Sequence, residues 1–289
     1  MNILNRFLRK KTFRLDRHPC FSETAHSRYG RVHLPVARDC NIGCKYCLRA
    51  LNITEDRPGV SERIISPAEA LEKVNEARGK YCITVAGIAG PGESLANEET
   101  FETFRLMDKY HPDLMKCLST NGLLLPDKIG ILKDLKVRTI TVTVNTLDAQ
   151  VGGEIYGFVG FSGKIYKGAE GAALLIERQK DGVKKAVRAG FTVKINTVLI
   201  PEINKGQVSV IAKEYSALGA QIMNIIPLIP VSQMKGRTPP TCEELQDARA
   251  ACEPFISQFR KCRQCRADAC GIPGLEEKKT AGNTEYFHA

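Results

Sequence analysis

The stretch that decides the fold is RVHLPVARDCNIGCKYCLRA, Arg31 to Ala50. Its first seven residues, Arg31 to Ala37, read as a β-strand, and a short loop then carries Cys40, Cys44 and Cys47 at C-x3-C-x2-C spacing. Three thiolates on one loop hold three irons of a [4Fe–4S] cube and leave the fourth iron open to an exchangeable ligand. A zinc knuckle is the alternative, although a structural zinc site closes with four ligands and a catalytic one with three plus water. Ferredoxin runs use C-x2-C-x2-C and ligate their clusters fully with cysteine.

Outward from this loop, β-rich runs alternate with helical patterns. Tyr81–Gly87, Leu114–Thr120, Thr139–Asn145, Thr192–Ile200 and Gln221–Ile229 read as further strands, several apolar on both faces as in a covered parallel sheet. Helices are predicted over 66–78, 97–110, 126–135, 170–189, 204–218 and 241–260; Ser66, Pro67 and Glu69 form a capping box that opens the first. Six βα units without a Ser/Gly linker or repeat predict an α/β fold, a partial (β/α)6 TIM-like barrel with extensions over its mouth. The expected organisation is an N-terminal extension over 1–30, a barrel core over 31–240, a C-terminal helix with a cysteine-rich segment over 241–275, and a loose tail over 276–289. In such barrels the chemistry sits on loops after the strands.

Composition narrows the class. With 289 residues, 43% hydrophobic and 26% charged, the chain is globular, and no run approaches the apolar length of a membrane span. The basic N-terminus, MNILNRFLRKKTFRLDR, lacks the apolar core of a signal peptide. A net charge of +10 serves either solubility or attraction of an anionic substrate or acidic partner, whereas nucleic acid is disfavoured because Trp is absent and no basic strip is interleaved with aromatics. Eleven cysteines without a secretory signal fit reduced, metal-binding thiols in the cytoplasm.

The cysteine triplet, Tyr46 before its last member and the strand ahead of it resemble the radical S-adenosylmethionine (SAM) superfamily. GIAGPGES (Gly87–Ser94) after the second strand resembles its glycine-rich loop, and STNG (Ser119–Gly122) follows the third. Within that superfamily, HPC (His18–Cys20), GRVHLPVARDCNIGCKYC, RPGV (Arg57–Val60), GIAGPGESLANEETFETF, KCLSTNGLLLP, INTVLIPEIN, MNIIPLIP and CRQCRADACGIPG resemble the NifB family from Cys20 to Gly274. Some members add a carrier domain after the barrel; this chain resembles the short, archaeal type.

The resemblance implies an anaerobic radical SAM maturase for the eight-iron precursor of the nitrogenase iron–molybdenum cofactor. It would fuse two [4Fe–4S] clusters and add a SAM-derived carbide and a further sulfur. Cys40, Cys44 and Cys47 would hold the catalytic cluster. Gly90, Gly92, Glu93, Ser119, Thr120, Asn121, Asn145 and Asn196 would surround the SAM; Cys20, His33, Cys117, Cys262 and Cys265 would hold two further clusters. Implied partners are SAM, an iron–sulfur cluster donor, an acidic electron donor and downstream carrier or scaffold proteins, with no nucleic acid and no membrane.

One position departs from the family pattern. Seven residues beyond Cys47, where the pattern has a cysteine, stands Thr54. A hydroxyl is a poor iron ligand because it deprotonates far above neutrality. Glu55 as an oxygen donor or Cys270 could complete that site; otherwise the cluster held there is labile. Other readings are a NifB-like paralogue with auxiliary clusters and another substrate, a non-catalytic iron–sulfur scaffold, or a zinc-stabilised barrel in which Cys262 and Cys265 join Cys270 and a histidine. Cys82, Cys242 and Cys252 stand without a motif and read as structural thiols.

Overall fold

The computed structural model describes residues 15–275; the expected tail over 276–289 lies outside the described residues. Six parallel strands form the sheet in sequential order: β1 (Gly30–His33), β2 (Ile83–Ile88), β3 (Met115–Thr120), β4 (Val137–Thr143), β5 (Thr192–Leu199) and β6 (Ile222–Pro227). Helices α1 (Pro67–Lys80), α2 (Glu98–Tyr110), α3 (Leu125–Asp134), α4 (Gly168–Arg188), α5 (Val208–Ala217) and α6 (Cys242–Cys252) follow them in turn. The capping box at α1 forms as expected: Ser66 Oγ accepts from Glu69 N, and Ser66 N donates to the Glu69 carboxylate. Strand one is shorter than expected because Pro35 has no N–H for the ladder. The last helix stops at Cys252, two residues before Pro254, which has no N–H to carry the helical ladder on.

The expectation of strands apolar on both faces holds for β2, where Val85 and Gly87 face the interior and Ala86 and Ile88 the core, and is corrected for the others. Val32, Leu118, Ile140, Val193, Ile195 and Ile225 point outward into the helix layer and form the core with Phe101, Phe104 and Met107 of α2. Their sequence neighbours Arg31, His33, Cys117, Ser119, Lys194, Asn196 and Asn224 line an interior cavity. A period of two puts alternate residues on opposite faces, and here the inner face carries thiols, imidazole, amides and cations.

The chain's C-terminal part closes the open side of this partial barrel. Ser257–Gln258 adds to the free edge of β6, and Cys270–Gly271 pairs antiparallel with β1. The strap between them therefore crosses from one edge of the sheet to the other, carrying Cys262 and Cys265. The N-terminal extension enters near the beginnings of the strands, where Thr84 Oγ1 donates to Arg17 O (2.7 Å) and Lys194 Nζ to Cys20 O (2.9 Å).

A feature outside the predicted elements braces the cysteine loop. The hairpin Tyr156–Phe161/Lys164–Tyr166 pairs antiparallel with Ile42–Cys44. Its turn residues Ser162 and Gly163 both have positive φ, the conformation that matches the twist of a two-residue hairpin.

Candidate active site

The barrel interior holds a cavity of about 340 Å³, and Cys40, Cys44 and Cys47 line it together. Their loop is held from three sides. Lys45 N donates to Ile155 O (2.9 Å) and Gly160 N to Asn41 O (2.7 Å), which fasten it to the hairpin. On the opposite side Gly92 N donates to Ala37 O and Glu93 N to Asp39 O, both at 2.8 Å. Asn97 Oδ1 accepts from the N–H groups of Arg38 and Asp39 at 3.1 and 3.0 Å. Burial, with the Glu93 charge, pushes the Cys40 thiol up to about 11. Burial and the neighbouring Cys47 and Cys40 push Cys44 well above the ordinary thiol range. Crowded buried thiols resist ionising alone, so a cationic iron–sulfur group is what makes three adjacent thiolates tenable.

The residues present fit such a group and its SAM. Gly92 lets the glycine-rich loop pack directly on the segment before Cys40, since a Cβ there would stand 2.3 Å from Asp39 O. Glu93 is fully inside the fold: Oε1 accepts from Thr120 Oγ1 (2.6 Å) and Leu95 N (3.0 Å), and Oε2 from Asn121 N (2.7 Å). Burial raises the Glu93 carboxyl above its ordinary value, and these donors pull it back. The carboxylate thus binds the glycine-rich loop to the loop after β3, and Oε2 keeps one lone pair for a ligand donor. Asn121 Nδ2 donates to Asn41 Oδ1 (2.7 Å), joining the same loop to the cysteines. Gly90, Ser119, Thr120, Asn121 and Asn196 line the cavity.

Asn145 does not. It is fully buried behind the wall, donating to Tyr46 OH (2.9 Å) and Tyr156 OH (3.3 Å) and accepting from Val198 N (2.9 Å). Its amide positions Tyr46 within the cysteine loop, because its polar atoms already have partners there. The inner-face residue that sequence reasoning missed is Asn224. It pairs with Asn196 across β5 and β6, Nδ2 to Oδ1 at 3.1 Å, while its buried Oδ1 has no partner.

Deeper in the same cavity lies a second group of thiols. Cys20, Cys117 and Cys265 line it with His33, and Cys262 lines it while remaining exposed. Burial pushes the Cys20 thiol up to about 12; Lys194 and Arg31 oppose that shift, and Cys265 and Cys117 add to it. Arg31 Nη2 donates to Cys265 Sγ at 3.0 Å. His33 Nδ1 lies 3.1 Å from Arg266 O, a contact in which the ring nitrogen must be the donor, so Nε2 carries the lone pair. Burial, with the nearby Arg31 charge, lowers His33 to about 3 and keeps it neutral. A neutral imidazole with its far nitrogen tied to a carbonyl is arranged as a metal ligand.

The position of Thr54 is different. Its N–H and hydroxyl both donate to Asn52 Oδ1 (3.1 and 3.3 Å), and it is exposed. Glu55 takes Asn52 Nδ2 (2.8 Å) and Arg57 Nε (2.7 Å) on its carboxylate. Arg266 on the strap clamps the turn by donating to Asn52 O (2.8 Å) and Glu55 O. Neither Thr54, Glu55 nor Cys270 is among the residues lining the cavity; that loop instead contributes Leu48, Arg49, Arg57, Pro58 and Gly59. Among the described residues no three His, Cys, Asp or Glu side chains are drawn together around a single metal ion.

Comparison with known proteins agrees with this geometry. Residues 34–214 match the radical SAM superfamily. The FeMo cofactor biosynthesis protein NifB of Methanocaldococcus jannaschii is 51% identical over 265 residues, covering 91% of this chain and 87% of that protein. NifB of Methanocaldococcus infernus is 50% identical, with 92% and 88% covered. The Klebsiella pneumoniae protein is 44% identical over 91% of this chain but only 58% of its own length. A radical SAM methyltransferase from Sphaerobacter thermophilus shares the fold, with a TM-score of 0.54, 18% identity, and coverage of 79% of this chain and 65% of that one.

Proposed function

The chain belongs to the NifB family of radical SAM proteins, and from that premise we propose that it builds the eight-iron precursor of the nitrogenase cofactor from two [4Fe–4S] substrate clusters. The observation that carries this reading is the presence of two thiol groups in one cavity, Cys40, Cys44 and Cys47 on the loop after β1, and Cys20, Cys117 and Cys265 with His33 and the exposed Cys262. A single-cluster radical SAM enzyme needs only the first.

In this reading Cys40, Cys44 and Cys47 hold the catalytic cluster, which when bound and reduced supplies the electron that cleaves SAM. Gly92 lets the glycine-rich loop pack on the cysteine loop, Glu93 accepts from the SAM ammonium, and the Ser119–Asn121 loop and Asn196 supply hydroxyl and amide partners. His33 and the deeper thiols hold the substrate clusters, which receive the SAM-derived carbon and the additional sulfur. The strap within 241–275 then acts as a ligand-bearing unit on the barrel core, and an acidic electron donor, a cluster donor and a carrier for the product are the expected partners. No described helix is long and apolar enough to cross a membrane.

Anaerobic iron and sulfide analysis of the full chain tests the reading. About twelve irons per chain are expected with all sites loaded and about four with the catalytic cluster alone. Cys44→Ala should abolish formation of 5′-deoxyadenosine from SAM, and undiminished cleavage by that variant refutes the assignment. The exposed Thr54 favours a second reading, a paralogue acting on a different substrate; SAM cleavage by fully loaded protein without eight-iron product would support it.

A further inference from the structure

Two cations are buried at the inner thiol group. Arg31 is 1% exposed and Lys194 is 5% exposed, on opposite inner walls of the barrel. Arg31 donates to Gly271 O (2.8 Å) as well as to Cys265 Sγ. Lys194 Nζ donates to Cys20 O (2.9 Å) and lies 4.7 and 5.4 Å from the centroids of the Phe21 and Phe259 rings. No carboxylate lies within ion-pair distance of Lys194 among the described residues. Among the described residues Glu93 is the only carboxylate lining the cavity, against five side chains of Arg and Lys, and it belongs to the catalytic end.

A buried ammonium facing one carbonyl and two aromatic rings recovers only part of its lost hydration. Removing it to leave well-packed apolar or neutral groups ought therefore to stabilise the protein unless an anion arrives. The sequence TVKINTVLI has this lysine on an otherwise apolar and neutral strand, facing inward by the alternation of β5. A thiolate-ligated iron–sulfur cluster is an anion, and the thiols of Cys20, Cys117 and Cys265 surround the place where it would sit.

We propose that Lys194, with Arg31 opposite, is the counter-charge that draws the anionic substrate cluster into the inner site and holds it there. This rests on the reading of the inner thiols as a cluster site. The cation compensates the added negative charge of the thiolates, and the cluster compensates the buried cation; each is costly without the other. Lys194 is thus a binding residue for the substrate cluster and takes no part in SAM cleavage.

The test uses the full-length protein, with and without its clusters, as wild type, Lys194→Gln and Lys194→Arg. Glutamine keeps a donor for the Cys20 carbonyl and removes the charge; arginine keeps the charge. Without clusters, Lys194→Gln should melt at or above the wild-type temperature. With clusters loaded the order should reverse, and inner-cluster iron should be lost to a chelator about tenfold faster, the lower end of what partners beyond the direct ligands typically contribute. The midpoint potential of the inner cluster should become more negative, because a reduced, more negative cluster loses its nearest cation. Lys194→Arg should restore both readouts toward wild type. If Lys194→Gln lowers the melting temperature equally in both states and leaves chelator loss and potential unchanged, the lysine is a structural donor and the inference is overturned. If wild type itself carries about four irons and Cys117→Ser does not change that number, the inner-site reading fails, and the inference with it.

Discussion

Gly92→Ala probes a close approach of two backbone segments beside the cysteine loop. An ideal Cβ on Gly92 would stand 2.3 Å from Asp39 O, 2.6 Å from Arg38 O and 2.8 Å from Arg38 C. All three are backbone atoms, so no flexible side chain can swing aside, and relief requires the glycine-rich loop and the segment before Cys40 to separate by roughly an ångström. That movement breaks the 2.8 Å bonds from Gly92 N to Ala37 O and from Glu93 N to Asp39 O. Overpacking of this kind costs about 1–3 kcal/mol, and each lost hydrogen bond adds about 1 kcal/mol. The expected loss is therefore about 3–5 kcal/mol, a large share of a typical domain stability of about 5–15 kcal/mol. Urea unfolding of the cluster-free protein measures it, with Gly79→Ala as the control, because a Cβ on Gly79 of α1 meets nothing within 4 Å. The displaced Cys40 should also lower iron retention at the catalytic site. Stability within about 0.5 kcal/mol of wild type, together with full iron retention, would refute the argument from close approach.

Acid should destabilise the cluster-free protein through His33. Its folded-state value near 3 lies below the ordinary 6.5, so below about pH 6.5 the unfolded chain binds a proton the native state excludes, and stability falls as pH drops toward 3. By pH 5 the loss is about 1–2 kcal/mol after allowing for screening of a half-buried ring; His33→Gln should flatten that slope in paired unfolding curves, and an unchanged slope contradicts it. Thr54→Cys should leave iron content unchanged, since Thr54 bonds to Asn52 and does not line the cavity; a gain of iron would mean that the loop rearranges when clusters bind. Glu93→Gln should lower stability by about 1–3 kcal/mol and slow SAM cleavage. A glutamine has one carbonyl where three donors converge, so at least one of Leu95 N, Thr120 Oγ1 and Asn121 N is left facing an amide nitrogen. Unfolding curves and 5′-deoxyadenosine formation that both match wild type would remove Glu93 from this role.

What the sequence determined by itself was local. A strand followed by Cys40, Cys44 and Cys47 is written in adjacent residues, as are the capping box at Ser66 and the six βα units, because backbone geometry and a short loop depend on near neighbours. The hairpin over 156–166 was also written locally, in Ser162 and Gly163, but without flanking strands of clear alternation it carried little signal. Which inner-face residues meet was decided by the tertiary structure. Cys20, Cys117, Lys194 and Cys265 come from an extension, two strands and a strap, and only closure of the sheet by Ser257–Gln258 and Cys270–Gly271 brings them to one cavity. The same closure leaves Thr54 and Cys270 outside it and hides Asn145 behind Tyr46. A side chain's type and spacing limit what it can bind, but the sheet's two-residue period and the path of the closing strap determine what it faces.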